Sequence, residues 1–162
     1  MMIRPFLLTA LLLLSACGFH PLYGQSRAAE NLAAVSIDNI EGKNGQKLRL
    51  QLSDQFYGAQ APTSPQWQVS VKFTTTKQEL GIRQDATATR ARLILVADFE
   101  LRRVGEEKPM FKGSERSFVS YNILTDPYAT LAAEDNAMDR GLTQVADGIT
   151  NRIALYLAGQ TQ

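Results

Sequence analysis

The 162-residue chain has one cysteine and one histidine. With a single cysteine there is no disulfide framework and no zinc site built on Cys-x-x-Cys. With a single histidine there is no His-x-x-x-His metal motif and no imidazole left over for a hydrolytic relay. A glycine-rich phosphate loop is also missing, and 11 glycines with 6 prolines are too few for a low-complexity or collagen-like chain. Charge of either sign is scarce in net terms: 17 basic against 16 acidic side chains leave +1. Proteins that neutralise phosphate backbones need a large basic excess, so nucleic acid is not an expected partner. These absences point to one globular domain without enzymatic activity, with no catalytic residue, metal or cofactor to assign.

Long apolar runs are missing too. The longest lies at the amino terminus, Pro5 to Leu14, behind Arg4. Ten residues rising about 1.5 Å each cover about half of a bilayer's hydrocarbon core, so residues 1–16 read as an export signal and not a span. Leu14-Ser15-Ala16-Cys17 follows, small residues before the lone cysteine. This resembles the lipobox of bacterial lipoproteins, in which the cysteine is acylated and becomes the first residue. Lipidation of Cys17 also removes the free thiol that an exported chain would otherwise expose. Three acyl chains exceed the two that stable membrane attachment requires. Gly18 stands where aspartate commonly signals inner-membrane retention in that family, which favours the outer membrane. Loss of Arg4 with the leader leaves 16 side chains of each sign.

Residues 17–33, with Gly18, Pro21, Gly24 and Ser26, read as a lipidated tether, and 34–162 as a single domain. His20, next to the acylation site, reads as an interfacial or partner-contacting side chain. Val35 and Ile37 alternate with Ser36 and Asp38, a short strand within Ala34–Ile40. Leu48, Leu52 and Phe56 recur every four residues between Gly45 and Gly58, one face of a helix. Trp67, Val69, Val71 and Phe73 alternate with polar residues through Thr74 as a second strand. Two further alternating runs, Arg90 to Arg102 and Lys112 to Ile123, complete an antiparallel meander. Asp126-Pro127 is a helix start, and Leu131, Met138, Leu142, Val145, Ile149, Ile153 and Tyr156 form the stripe of a long helix to Ala158. Gly141 and Gly148 within it mark candidate points of close approach to the sheet. The order β-α-β-β-β-α predicts an α+β fold, a two-layer sandwich with a mixed four-stranded sheet and two helices on one face.

If the odd positions of the meander face the helices, Lys72, Arg90, Arg92, Arg102, Lys112 and Arg116 share the opposite face with Ile94, Val96 and Phe118, against Asp98 and Glu100. Such a surface suits an amphiphilic anion, with phosphates on guanidinium groups and acyl chains on the apolar spots. Cross-strand ion pairing would give the same charges a structural role. The carboxylates Glu106, Glu107, Glu134, Asp135 and Asp139 fall in a turn and on a helix, where solvated charge is the ordinary outcome.

Cys17-Gly18-Phe19-His20-Pro21-Leu22-Tyr23-Gly24 resembles the start of the alphaproteobacterial LptE lipopolysaccharide-assembly lipoproteins. Gly81-Ile82-Arg83-Gln84-Asp85 leading into Ala88-Thr89-Arg90, Ser120-Tyr121-Asn122, and Ala132 to Arg140 agree in order along the chain. The resemblance implies an outer-membrane lipoprotein that faces the periplasm and a barrel lumen. There it would plug, and help assemble, a lipopolysaccharide-inserting outer-membrane β-barrel, with lipopolysaccharide as a further ligand. It also implies helices packed on a four-stranded sheet. Cys17 matches the acylated cysteine, and Arg83 the basic residue of the loop linked to ligand contact; Ala132-Ala133-Glu134 offers no lysine there. Together with Lys72, Arg90, Arg92 and Arg116, Arg83 forms the expected ligand-binding set. The other reading is a free-standing periplasmic lipoprotein that binds a small amphiphile, which would require a closed apolar pocket.

Overall fold

The computed structural model describes residues 31–58, 60–82 and 88–160. The leader, Cys17, His20 and Arg83 lie outside them. The elements run β1 (Val35–Ile37), α1 (Lys43–Tyr57), β2 (Trp67–Ile82), β3 (Ala88–Arg103), β4 (Phe111–Asn122) and α2 (Pro127–Gly159). The sheet order is β1-β2-β3-β4, with β1 parallel to β2 and the other two pairs antiparallel. The fold is therefore the expected mixed four-stranded α+β sandwich.

Alternation decides which residues form the core. Register is constant along both antiparallel pairs, from Trp67↔Arg103 to Ile82↔Ala88 and from Arg90↔Asn122 to Leu101↔Phe111. No bulge shifts the parity, so odd positions stay on one face throughout. Ala91, Leu93, Leu95, Ala97, Phe99 and Leu101 are all buried there, beneath Leu48, Leu52 and Phe56 of α1 and Leu142, Ile149 and Ile153 of α2. Leu32, on the tether side of the expected boundary, is also buried in this core.

The second strand is twice the expected length, 16 residues in place of eight. Its far half, Thr75 to Ile82, loses the apolar alternation because only α2 reaches that end of the sheet; backbone pairing to β3 holds it instead. Leu131, expected in the stripe of α2, is 59% exposed. The two helices meet through Lys47–Asp139, Gln51–Thr143 and Gln55–Asp147. α1 begins only one turn before Lys47, at Lys43, so Leu131, two turns before Asp139, projects beyond its partner helix.

The carboxylate of Asp126 accepts a hydrogen bond from the Tyr128 amide at 2.9 Å and Pro127 opens the helix, as their sequence predicts. Both helix glycines touch the sheet side of the interface. A Cβ on Gly141 would lie 2.8 Å from a Leu95 methyl and 3.2 Å from one of Val119; on Gly148 it would meet the Glu115 carboxylate at 2.7 Å. Leu95 is wholly buried and cannot swing aside. Gly141→Val is expected to destabilise the fold by about 2–3 kcal/mol despite removing a helix glycine, read as a lower urea midpoint.

Candidate functional site

The even positions form a second face with no helix over it among the described residues, and it divides into two halves. Towards the β3–β4 hairpin charges of both signs are mixed, and several are paired. Lys112 and Glu100 pair at 2.6 Å, Arg102 donates to Ser70 Oγ at 3.1 Å, and Gln68 donates to Asp38 at 2.6 Å. Cross-strand pairing thus accounts for Lys112. A depression of about 490 Å³ here is open to solvent and lined by Asp38, Ser70, Lys72, Asp98, Glu100 and Lys112.

Towards the other end the face is basic and apolar. Rows across the sheet place Arg92 beside Ser120, Ile94 beside Phe118 and Val96 beside Arg116. Phe118 is 60% exposed, and Ile94 and Val96 are half-buried. Among the described residues, Arg90, Arg92 and Arg116 have no ion-pair partner. Three cations beside three apolar side chains, without an acid on the same rows, match the chemistry of an anionic amphiphile.

The structure places Arg90 and Arg92 two residues apart on β3, whereas Arg116 sits opposite Val96, six residues and about 20 Å along the strand from Arg90. Lys72, opposite Asp98, lies two rows further, eight residues along β3 from Arg90 and about 27 Å away. Its place in a depression with three carboxylates makes it part of the mixed-charge half. Arg83 falls between β2 and β3 in the sequence and lies outside the described residues.

One cluster on the covered face has no counterpart in the sequence reading. Glu134 Oε2 accepts hydrogen bonds from Lys77 Nζ and Tyr121 Oη, each at 2.6 Å, and the Lys77 ammonium lies 5.5 Å from the Tyr121 ring centre. Lys77 comes from β2 and Tyr121 from β4, with the buried Ala91 of β3 between their strands leaving them room to share one carboxylate of α2. Glu134 is therefore a clasp for the start of α2 and not a solvated acid. Lys77 continues the odd series from Trp67, a signal hidden by the polar residues around it. Asp139 is likewise engaged, at 2.7 Å from Lys47. Among the described residues no three His, Cys, Asp or Glu side chains group as metal ligands, and no helix is long and apolar enough to cross a membrane.

The lipopolysaccharide-assembly family LptE matches residues 32–153. The chain belongs to this family. Among solved structures, a candidate lipoprotein from Caulobacter crescentus CB15 is 26% identical, with 83% of this chain covering 98% of that one at a TM-score of 0.68. A minor lipoprotein from Acinetobacter baumannii is 18% identical over 75% of this chain and 92% of its own, with a TM-score of 0.58. Rare lipoprotein B from Shewanella oneidensis is 15% identical over 79% and 97%, with a TM-score of 0.56. The last two share the fold. No curated protein sequence matches the chain significantly.

The Glu134 clasp sets an acid dependence. The hydrogen bond from Lys77, followed by that from Tyr121, holds the Glu134 carboxyl below its ordinary value of 4.5. The Lys77 ammonium is pushed up, chiefly by the same bond, and the Tyr121 hydroxyl is pushed up chiefly by burial. Because the folded state lowers the carboxyl's value, its stabilisation is complete above that of the unfolded chain and disappears as pH falls through the folded value. Urea unfolding at a series of pH values is expected to show stability falling below pH 4.5, with Glu134→Gln less stable at pH 7 and less sensitive to acid.

Proposed function

We propose that this chain is an outer-membrane lipoprotein, held by acylated Cys17, that serves as a non-enzymatic plug and assembly partner of the lipopolysaccharide-inserting β-barrel. The observation that carries the reading is the family match across 32–153, joined by a lipobox-like sequence ending at the only cysteine. Lipopolysaccharide is the proposed ligand. Its phosphates would meet Arg90 and Arg92, with Arg83 from the adjoining turn, and its acyl portion would meet Ile94 and Val96.

The direction of the chain fits this reading. β1 pairs with Trp67–Val69, so the chain enters the domain at the Arg103 end of β3. Arg90 lies thirteen residues up that strand, about 44 Å away, which directs the basic end away from an amino-terminal anchor. The alternative of a free-standing carrier asks for a closed apolar pocket, whereas the depressions at Asn39–Thr74 and beside Lys112 are open and lined largely by polar side chains.

Purification of the native protein in mild detergent, followed by mass spectrometry, is expected to recover an outer-membrane barrel protein together with a chain that begins at an acylated Cys17. Recovery of only abundant, unrelated envelope proteins would remove the plug reading. The double reversal Arg90→Glu and Arg92→Glu is expected to weaken binding of purified lipopolysaccharide about tenfold or more without lowering the thermal midpoint. Unchanged binding would take the ligand surface away from these residues.

A further inference from the structure

β4 is the last strand of the sheet among the described residues, and its backbone polarity can be read from the bond at its far end. The Ile123 amide donates to the Thr89 carbonyl at 3.1 Å. With register constant along the pair from Phe111 to Asn122, odd positions of β4 turn their amide and carbonyl towards β3, and even positions turn theirs outward. The Ser114 carbonyl, at an even position, is accordingly met from outside the sheet by the Arg152 guanidinium at 2.9 Å.

Exposed edges invite strand pairing, and folds normally block them with charge or cover. Most of this sheet's edge is blocked. The near half of β4 has Arg152 across it, tied to both Ser114 and Glu115. On the opposite side β1 covers β2 as far as Val69, and beyond it Lys72, Lys77 and Glu79 place charge on both faces of the edge. The far half of β4, Arg116 to Asn122, has neither device. Its inward side chains are Ser117, Val119 and Tyr121, all uncharged, and its open face presents Phe118 and the unpaired Arg116. Ser120 is small and leaves the edge accessible.

We propose that the edge from Arg116 to Asn122 is a strand-addition site for an extended segment of another protein, with a carboxylate side chain seated at Arg116 and an aliphatic one against Phe118. Pairing supplies main-chain hydrogen bonds to the outward groups of Arg116, Phe118, Ser120 and Asn122, while the two side-chain rows supply selectivity. Charge complementarity selects the occupant: no acid shares these rows of the open face, so a neighbouring strand that brings a carboxylate gains an ion pair, and one that brings lysine is repelled. The edge adjoins the glycolipid contacts proposed above, since Asn122, Ser120, Phe118 and Arg116 share rows with Arg90, Arg92, Ile94 and Val96, but it uses the outward backbone groups of β4 and not the open face of β3.

The test is a titration of the full-length chain in mild detergent with the peptide acetyl-Thr-Glu-Thr-Val-Thr-Glu-Thr-amide, whose symmetry places a carboxylate at Arg116 in either strand direction. Saturable binding by fluorescence anisotropy is expected, with amide exchange at Phe118 and Ser120 slowed about tenfold in NMR spectra at saturation. Replacing both Glu residues of the peptide by Lys is expected to weaken binding about fivefold, and Arg116→Glu to reverse that preference. Two versions N-methylated on alternate amides separate pairing from charge alone, because a strand pairs through one set only. Absence of binding overturns the proposal, as do unchanged exchange at those amides and equal binding of both methylated peptides. A peptide-free protein that already sediments as a dimer with the same amides protected would assign the edge to a second copy of this chain, and overturn it as well.

Discussion

Unbroken parity across three long strands is the constraint on which the rest of this structure depends. A single bulge in β3 would exchange its buried and open faces, placing Arg92, Asp98 and Arg102 under the helices and Leu93, Leu95 and Phe99 in water. The burial of every odd residue from Ala91 to Leu101 is the energetic penalty against such a slip. The same arrangement leaves the open face at liberty to carry charge and apolar groups that folding does not require. Core and working surface are two readings of the same alternating strands.

α2 then fixes what lies above that sheet. It crosses β3 and β4 closely enough at Gly141 that only hydrogen fits between helix and Leu95. At its amino-terminal end the Glu134 clasp gathers β2 and β4, while Arg152 near the other end grips the edge of β4. Surface ion pairs contribute little individually, but these join elements far apart in sequence and so fix the helix in position. The covered face is thereby fastened at both ends of α2, and the basic and apolar row residues lie on the opposite side of the sheet.

Elements with a steady period were legible in the sequence. The core face of β3, the three-, four- and seven-residue spacing of the α2 stripe and the cap at Asp126 all follow from local chemistry, and the motifs that resemble the LptE family were legible beside them. Parity also placed Arg90, Arg92 and Arg116 on one face. What local pattern does not contain is extent: the far half of β2 is a strand because β3 pairs with it, not because Thr74-Thr75-Thr76-Lys77 alternates in hydropathy. Nor does it contain the distance along a strand, which separates Lys72 from Arg90 and Arg92, or the length of a neighbouring helix, which strands Leu131 in solvent. The Glu134 clasp was hidden for the same reason, since its three members are far apart in the chain and each has an ordinary exposed role when considered alone.

The contacts between the two helices have a temporal side. Lys47, Gln51 and Gln55 each find their partner 92 residues downstream. A nascent or translocating chain therefore reaches the α1 segment long before anything exists for that helix to lean on, and half of the apolar layer must wait uncovered. Closure of such a high-separation architecture is late and nearly all-or-none. The layer that α1 begins therefore stays incomplete until α2, the last element of the chain, is in place.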